Sequence, residues 1–426
     1  MAIKAPRGTF DILPDRAVLW SRVESAARRI FELYGYGEIR TPIFENIKLF
    51  TASIGETSDI VEKEMYSFQK GREHYGLRPE ATASVVRAYI EHDLYQARGL
   101  QKLYYIGPMF RAERPQAGRY RQFHQMGVEA IGSADPLVDA ECITMTSAIF
   151  RELSVAGYTI KLNTLGGDET RARYREVLRA YLEQHRDELC ENCRARIDRN
   201  VFRALDCKEA GCRRVTRSGP NIQDHLADAD RAALDTLRNA LERAGIACEV
   251  DGFLVRGLDY YTGLIYEFVH GGLGAQNAIC AGGRYDRLVA DRGGPSVGAT
   301  GFAIGMERVI ILLEQSAGEP ADPRRPRLYC VNVGDETRPK VFEVVQSLRS
   351  RGIAAEMDYE GRSIKAQMRA ADKLGVPFVV FIGTQEIESG TVKIKNMQTG
   401  AETPSAIGEI AETLRKNPEV SSQNSE

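Results

Sequence analysis

The sequence has no long apolar run and no strong excess of charge of either sign. No stretch approaches the roughly 18 consecutive apolar residues that a membrane-spanning helix needs, so we expect no membrane segment. The amino-terminal stretch MAIKAPRGTFDILPD lacks the apolar core typical of an export signal, which predicts a cytoplasmic protein. The formal net charge of −2 and the sequence pI near 6.4 exclude a uniformly basic surface that coats nucleic acid. Any contact with RNA must therefore come from local patches.

Disulfides are also unexpected, although the chain contains eight cysteines. In a protein without an export signal, cysteines are more often reduced thiols or metal ligands. Four of them follow the spacing C-x2-C-x13-C-x4-C, which falls within the range of a structural zinc site; they are Cys190, Cys193, Cys207 and Cys212. The alternative is that these four are free thiols packed as small apolar groups.

A basic hairpin is predicted towards the end of the first third of the chain. Two strand-like runs, Leu103–Phe110 and Tyr120–Val128, flank a polar loop that contains proline and glycine. This region carries four arginines and one glutamate, which are Arg111, Arg114, Arg119, Arg121 and Glu113. Guanidinium groups suit phosphate, so we expect the hairpin to attract an anion. The alternative is an ordinary solvated, arginine-rich loop.

The hairpin sequence FRAERPQAGRYRQFHQ, from Phe110 to Gln125, resembles motif 2 of the class II aminoacyl-tRNA synthetases in the form carried by the histidyl-tRNA synthetases. Other stretches resemble signatures of the same family in the same order along the chain. They are RGTFDILP at the amino terminus, RPEAT at 78–82, RGLDYY at 256–261, AGGRY at 281–285 and, as motif 3, AIGMER at 303–308. The sequence departs from the family at Ala81, where glycine is common.

The resemblance implies an α+β fold with two main regions. Residues 1–325 are expected to form a class II catalytic core, an antiparallel sheet flanked by helices, with a helical insertion at about 168–245. Residues 326–426 alternate strand and helix after the proline-rich stretch 315–327 and resemble an α/β anticodon-binding domain. The polar tail after Lys416 is expected to be disordered.

Smaller elements follow from local patterns. Apolar periodicity predicts a helix from about Asp15 to Leu33. YGYGEIRTPIFENIKLF is predicted to be a strand interrupted by Pro42, for which an ordinary edge strand is the simpler interpretation. Its resemblance to motif 1, the helix and strand through which class II synthetases dimerise, implies a homodimer. FLVRGLDYYTGLIYEFV, residues 253–269, alternates like two strands around a turn. Between Arg171 and Arg217 there are 13 basic and 8 acidic residues, which indicates an RNA-facing surface or simply solvated helices.

The resemblance also implies an activity and its residues. The family forms histidyl-adenylate from L-histidine and ATP, with Mg²⁺ accompanying ATP, and transfers the histidyl group to the 3′ end of its tRNA. The matching catalytic positions are Arg256 and Arg111. The matching histidine-binding positions are Glu80, Thr82, Gln125, Glu129, Tyr260 and Tyr261. The matching ATP-binding positions are Arg111, Glu113, Arg121, Gly305 and Arg308.

Simpler interpretations exist for several of these residues. Glu80 could merely cap a helix, Thr82 could lie at the surface, and Glu129 could be a plain strand residue. For the whole chain, the alternatives are a catalytically inactive, histidine-synthetase-like regulatory subunit and a class II synthetase for another amino acid. The carboxyl-terminal region disfavours the first, and the RGLDYY run disfavours the second.

Overall fold

The computed structural model of the protein describes residues 3–54, 60–97, 99–274, 277–316 and 325–416. The chain divides into two compact units, residues 1–320 and 321–426, and each has its own buried apolar core. The tail after Lys416 and most of the proline-rich stretch lie outside the described residues. Within the described ranges, we find no helix with the length and apolar character needed to cross a bilayer.

The regular elements of the described residues alternate along the chain. The strands are β1 Gly37–Glu38, β2 Phe44–Asn46, β3 Ser67–Lys70, β4 Glu73–Leu77, β5 Gln101–Phe110, β6 Gln122–Ile131, β7 Tyr158–Thr164, β8 Glu249–Val250, β9 Leu264–His270, β10 Ala278–Arg284, β11 Ala299–Gly305, β12 Leu328–Asn332, β13 Ala355–Met357, β14 Phe378–Ile382, β15 Thr391–Asn396 and β16 Glu402–Ala406. The α-helices are α1 Pro14–Leu33, α2 Ile47–Ile54, α3 Thr82–Glu91, α4 Pro136–Glu152, α5 Asp168–Gln184, α6 Glu191–Arg199, α7 Ala210–Arg217, α8 Asp228–Arg243, α9 Leu288–Asp291, α10 Met306–Ser316, α11 Arg338–Ser350, α12 Ile364–Leu374, α13 Thr384–Ser389 and α14 Ile410–Lys416.

The first unit is built on one large sheet, which the described strands form in the order β1-β5-β6-β11-β10-β9-β7-β8. Its central pairs are antiparallel, whereas the short outer strands β1 and β8 pair in parallel with β5 and β7. Helix α1 packs against α4 and α10, and residues of all three belong to the main core. The expected antiparallel sheet flanked by helices is confirmed.

The alternation of side chains along β6 separates core from cavity. Met126, Val128 and Ala130 belong to the main apolar core, while Gln125 and Glu129 line a cavity instead. Successive side chains of a strand point to opposite faces of the sheet, so one strand supplies both packing and chemistry. Strands β5 and β6 pair over their whole length, from Gln101↔Ile131 to Phe110↔Gln122, which confirms the predicted hairpin.

The interruption predicted at Pro42 is confirmed, whereas the first of the two strands predicted in residues 253–269 is wrong. The chain around Pro42 forms two short strands, since β1 lies at the edge of the large sheet and β2 at the edge of the β2-β4-β3 sheet, and it continues into helix α2. Residues 251–263 form no strand, although they alternate. Arg256, Tyr260 and Tyr261 all line the same cavity, and a regular strand would turn Tyr260 and Tyr261 to opposite faces.

The helical region 168–243 comprises α5 to α8. Its apolar side chains, such as Leu178, Leu237 and Leu241, join the main core, and α8 packs against α4. The second unit contains a sheet in the order β13-β12-β14-β15-β16, in which β12 is parallel to β13 and β14 and the later pairs are antiparallel. The predicted α/β pattern with a partly parallel sheet is confirmed.

Candidate functional site

A cavity of about 320 Å³ opens on the face of the large sheet that α1 and α4 leave uncovered. Eleven of the residues singled out from the sequence line it, although they come from distant parts of the chain. They are Glu80, Thr82, Arg111, Glu113, Gln125, Glu129, Arg256, Tyr260, Tyr261, Gly305 and Arg308. A cavity of this size that is lined by convergent polar groups is suited to bind a small-molecule substrate.

Arg121 is placed differently from the other predicted ATP-binding residues. Its Nε donates to the backbone oxygen of Glu113 at 3.2 Å and its Nη1 to that of Arg7 at 3.4 Å. The backbone N–H of Arg121 donates to the backbone oxygen of Gly8 at 2.8 Å. The side chain therefore joins the hairpin to the amino-terminal segment.

One wall of the cavity is cationic. Arg111 and Arg119 come from the hairpin, and Arg308 comes from the first turn of α10. The Nε of Arg111 donates to the backbone oxygen of Pro79 at 2.9 Å, and its guanidinium lies 5.3 Å from the ring centre of Phe123. Both contacts fix the side chain and leave donors of the guanidinium directed at the cavity.

The charges on this wall repel one another. Burial lowers the pKa of Arg308 to about 10, with additional lowering by Arg119 and Arg111. Its Nε donates to the backbone oxygen of Gly118 at 3.2 Å, so the side chain also closes over the hairpin loop. Mutually repelling guanidinium groups held by backbone oxygens form a site that an incoming polyanion would stabilise.

Arg256 also lines the cavity, where it is paired with Glu267 of β9. Burial favours the neutral form of Arg256, but the charge of Glu267 raises its pKa, so the guanidinium stays charged. The cation lies 5.7 Å from the ring centre of Tyr261. Its Nε is buried without a hydrogen-bond partner among the described residues, which makes it available to a bound ligand.

Glu129 forms the base of an acidic pocket. Its carboxylate accepts a hydrogen bond from the Thr82 hydroxyl at 2.7 Å and another from the Tyr285 hydroxyl. A side chain at Gly301 could not be accommodated, because its Cβ would lie 2.2 Å from a Glu129 carboxylate oxygen. Glu129 is 1 % exposed, and burial raises its pKa to about 8. Glu129 is therefore not a plain strand residue.

The start of α3 supplies the rest of this pocket. The Glu80 carboxylate accepts hydrogen bonds from the N–H groups of Thr82 at 2.7 Å and Ala83 at 2.9 Å, so it does cap the helix. It is buried nonetheless, and burial raises its pKa. Thr82 is 8 % exposed and so is not a surface residue. Across the pocket, the Gln125 Oε1 is buried without a hydrogen-bond partner among the described residues. Such an acceptor suits the donors of an ammonium group.

The proton on Glu129 should make stability depend on pH. The pKa of Glu129 in the folded state, about 8, exceeds the roughly 4.3 of a glutamate in the unfolded state. The contribution of this proton to the free energy of unfolding is therefore full below about pH 4 and is lost as the pH rises through about 8. Between pH 5 and 8.5 the free energy of unfolding of the first unit should therefore fall. In Glu129→Gln we expect this fall to be smaller by roughly 3 to 5 kcal/mol, measured by urea unfolding at both pH values. The control is Glu176→Gln on α5, whose side chain is 73 % exposed. An unchanged pH dependence in Glu129→Gln would contradict the assignment.

Several cavity residues were missed from the sequence. They are Tyr105, Asp206, Lys208, Glu267 and Tyr285. Tyr285 belongs to the AGGRY stretch that resembles a family signature, and Arg119, expected only as part of the anion-attracting hairpin, also lines the cavity. Nothing in the sequence distinguishes Tyr105 or Glu267 from other alternating residues of a strand.

The four cysteines of the C-x2-C-x13-C-x4-C pattern are brought together beside the cavity. Their Sγ atoms all lie within 4.8 Å of one another, and those of Cys190 and Cys207 are 3.9 Å apart. The N–H of Cys190 donates to the Sγ of Cys212 at 3.1 Å. Tetrahedral zinc with Zn–S bonds of about 2.3 Å places its sulfur ligands about 3.8 Å apart, so the donor set fits this ion.

Comparison with known proteins extends over the whole chain. The family model described as histidyl-tRNA synthetase matches residues 8–309, and the anticodon binding domain model matches residues 327–417. A histidine–tRNA ligase of Halothermothrix orenii is 47 % identical over 98 % of this chain and 100 % of its own length. One of Geobacter metallireducens is 49 % identical over 93 % of this chain and 95 % of its own length. The crystal structure of apo S. aureus histidyl-tRNA synthetase superposes with a TM-score of 0.82, at 36 % identity, covering 97 % of this chain and 99 % of that one.

An antiparallel sheet that carries a motif 2 hairpin and a motif 3 helix around one arginine-rich cavity is the architecture of a class II aminoacyl-tRNA synthetase. Both catalytic and carboxyl-terminal regions match in sequence as well as in fold. The chain belongs to the histidyl-tRNA synthetase family.

Proposed function

We infer that the protein is a histidine–tRNA ligase, which activates L-histidine with ATP and transfers the histidyl group to the 3′ end of its tRNA. One observation carries this conclusion: a cationic wall and an acidic pocket belong to a single cavity. The inactive regulatory subunit is not favoured, because relatives named histidine–tRNA ligase align over the full length, including the region that matches the anticodon binding domain. The expected cytoplasmic location stays a prediction.

For adenylate formation, we assign the nucleotide to the cationic wall. Arg111 would bind the α-phosphate and Arg308 would lie along the adenine ring, while Gly305 leaves room for the nucleotide because a Cβ there would meet nothing closer than 3.7 Å. The histidine carboxylate attacks the α-phosphate, pyrophosphate leaves, and negative charge grows on the phosphate oxygens. Arg256 is positioned to bridge the carboxylate and the phosphate from the opposite side. Catalysis then consists of positioning and charge stabilisation, with no covalent step on the protein.

Histidine itself would occupy the acidic pocket. Glu129 and Tyr261 would bind the two imidazole nitrogens, with Tyr260 packed beside them at a ring-centre distance of 4.9 Å from Tyr261. The α-ammonium group would be received by Gln125, together with Glu80 and Thr82. An amino acid without two ring nitrogens would leave these buried groups unpaired, which is the strongest form of discrimination available to such a pocket.

ATP is expected to enter with Mg²⁺, which would neutralise part of its phosphate charge. Among the carboxylates that line the cavity, those of Glu113 and Glu267 offer oxygen ligands of the kind that this ion prefers. Glu113 lies in contact with Arg119 and 3.8 Å from Arg111, so it also holds the two hairpin guanidinium groups in place.

The activity is tested by ATP–pyrophosphate exchange with each of the 20 amino acids in turn. We expect exchange that depends on histidine and exceeds that with any other amino acid by at least about 1,000-fold, because buried polar partners reject analogues strongly. Transfer to tRNA is then measured with purified histidine and proline tRNAs. Exchange that depends on proline, threonine or no amino acid would overturn the proposal.

We further propose that the four-cysteine cluster holds a structural zinc ion. Four sulfur atoms within 4.8 Å of one another can supply all four ligands of a tetrahedral zinc ion and leave no open position, so the ion would support structure and take no direct part in the reaction.

We also propose a homodimer, which is supported by an exposed aromatic face on the β2-β4-β3 sheet. Phe44 and Phe68 are 52 % and 44 % exposed, and their rings contact each other and Tyr75 at 5.6 to 6.1 Å. Exposed aromatic clusters of this kind mark contact surfaces. Phe44→Glu is expected to raise the dimer dissociation constant about 10-fold or more, measured by sedimentation velocity. Phe342→Glu, at an equally exposed site in α11, is the control; a dimer unaffected by Phe44→Glu would place the interface elsewhere.

A further inference from the structure

The four-cysteine cluster borders the catalytic cavity directly. Asp206 and Lys208, the two neighbours of Cys207, line that cavity although they belong to the helical region. Cys207 itself is 9 % exposed, whereas the residues on either side of it are exposed. Whatever fixes the Cys207 sulfur therefore also fixes part of the cavity wall.

The chain between the second and third cysteines is short and closed. Cys190 directly precedes α6, Cys193 lies in the first turn of the helix, and Asn200 directly follows its last residue, Arg199. A 3-10 turn at Val201–Ala204 then leads to Cys207, with Val201 and Ala204 buried. Since the cysteine sulfurs converge, Asn200 sits at the far end of a loop whose two ends meet at one point.

Asn200 contacts the segment that carries the catalytic cation. Its Nδ2 donates to the Oδ1 of Asp259 at 3.0 Å. Asp259 lies within residues 251–263, which have no regular structure, three residues after Arg256 and directly before Tyr260. The segment has no regular ladder, so side-chain contacts of this kind add to its isolated backbone hydrogen bonds, such as that from the Asp259 N–H to the Ile54 oxygen at 3.2 Å.

Packing between the two segments is incomplete. Asn200 and Phe202 line a small pocket of about 40 Å³ together with Arg256 and Leu258. The helical region makes further hydrogen bonds to this segment, from Arg171 Nη1 to the backbone oxygen of Tyr261 at 3.3 Å and from the Arg217 guanidinium to the Asp251 carboxylate at 2.7 and 3.2 Å. Apolar packing of Leu254, Tyr260 and Tyr261 holds the segment as a whole, and the directional hydrogen bonds from the helical region orient it.

We propose that Asn200 is a positioning residue for Arg256, Tyr260 and Tyr261, and that the metal held by the four cysteines fixes Asn200 in place. The proposal rests on the ligase function for its kinetic effect, but its structural part does not. The metal site then acts on the chemistry through α6, Asn200 and Asp259, without touching substrate. Free thiols would leave α6 without this anchor.

The first test removes the hydrogen bond and keeps every cysteine. Asn200→Ala is expected to lower kcat for histidine-dependent exchange about 10- to 100-fold, with KM for ATP unchanged within about twofold, while zinc content and melting temperature stay at their original values. The exchanged pair Asn200→Asp with Asp259→Asn restores one donor and one acceptor and should recover most of the rate. A kcat equal to that of the unchanged protein in Asn200→Ala would overturn the proposal.

The second test concerns the metal and does not depend on activity. Zinc is measured in protein purified without chelator, where about one ion per chain is expected, and in Cys193→Ser, where it should be lost; Cys248→Ser, outside the cluster, is the matched control. Hydrogen exchange of residues 254–262 should become faster in Cys193→Ser and Asn200→Ala, and remain unchanged in Cys248→Ser.

The outcomes separate the two proposals. If the unchanged protein shows no histidine-dependent ATP–pyrophosphate exchange, while hydrogen exchange at residues 254–262 is faster in Cys193→Ser and Asn200→Ala, the ligase function is refuted and the structural coupling is kept. If the unchanged protein contains no zinc, or if Cys193→Ser loses zinc without any change in hydrogen exchange at residues 254–262, the coupling is refuted and the ligase function is unaffected.

Discussion

Replacing Arg256 by alanine is expected to slow histidyl-adenylate formation about 100- to 1,000-fold, with little change in the affinity for histidine. The Arg256 guanidinium stays charged beside Glu267, and its Nε is buried without a partner among the described residues. It therefore offers a fixed positive charge where the attacked phosphate gains negative charge. Single-turnover formation of adenylate and equilibrium binding of histidine measure the two effects separately.

The control for this prediction must account for Glu267. Removing Arg256 leaves the Glu267 carboxylate half-buried without its partner, which itself destabilises the protein. The double variant Arg256→Ala with Glu267→Gln removes that charge, and it should be as slow as the single variant. Arg114→Ala, an exposed arginine of the same hairpin, should react at the original rate. If the double variant regained the rate, Arg256 would be a structural partner of Glu267 and not a catalytic residue.

Replacing Glu129 by alanine is expected to lower kcat/KM for histidine about 1,000-fold and to leave KM for ATP unchanged within about twofold. Glu129 is buried under the Thr82 and Tyr285 hydroxyls, so no other carboxylate of the described residues can take its place in contact with both. The loss should appear mainly in KM for histidine, because the imidazole contact exists in the bound substrate as well as in the transition state. Steady-state exchange at varied histidine and ATP concentrations gives both constants.

Two further variants define what Glu129 contributes. Glu129→Gln keeps the shape and one acceptor, so we expect a smaller loss than for alanine. Glu176→Ala, on the exposed surface of α5, should have no effect. Equal KM values for histidine in Glu129→Ala and in the unchanged protein would place the imidazole elsewhere in the cavity.

The sequence predicted best where function lies in a continuous stretch. Arg111, Glu113 and Gln125 belong to one hairpin, so a single motif identified all three as candidate site residues. The pairing of β5 with β6 was predicted from the same stretch. The helix α1 was equally accessible, because its buried residues recur with helical spacing. In these cases a local pattern and the final contacts coincide.

The sequence predicted poorly those residues whose position depends on contacts with distant parts of the chain. Apolar and polar residues alternate in 253–263 as they do in a strand, but the segment has no regular structure. Two successive tyrosines of this segment line one cavity, which a regular strand would not allow. Glu267 and Tyr105 look like ordinary strand residues until the sheet order places their strands around the cavity. The position of Lys208 depends on the convergence of four cysteines, which spacing suggests but only folding brings about.

The attachment of the amino-terminal segment to the hairpin has a practical consequence for anyone who handles the protein. Arg121 binds the backbone of Arg7 and Gly8, and any Cβ at Gly8 would lie 2.8 Å from the Arg121 side chain. An affinity tag or fluorescent fusion joined close to this end would pull on the loop that carries Arg119 and lies beside Arg111. Labels for assay or imaging are therefore better joined after the second unit, far along the chain from this anchor.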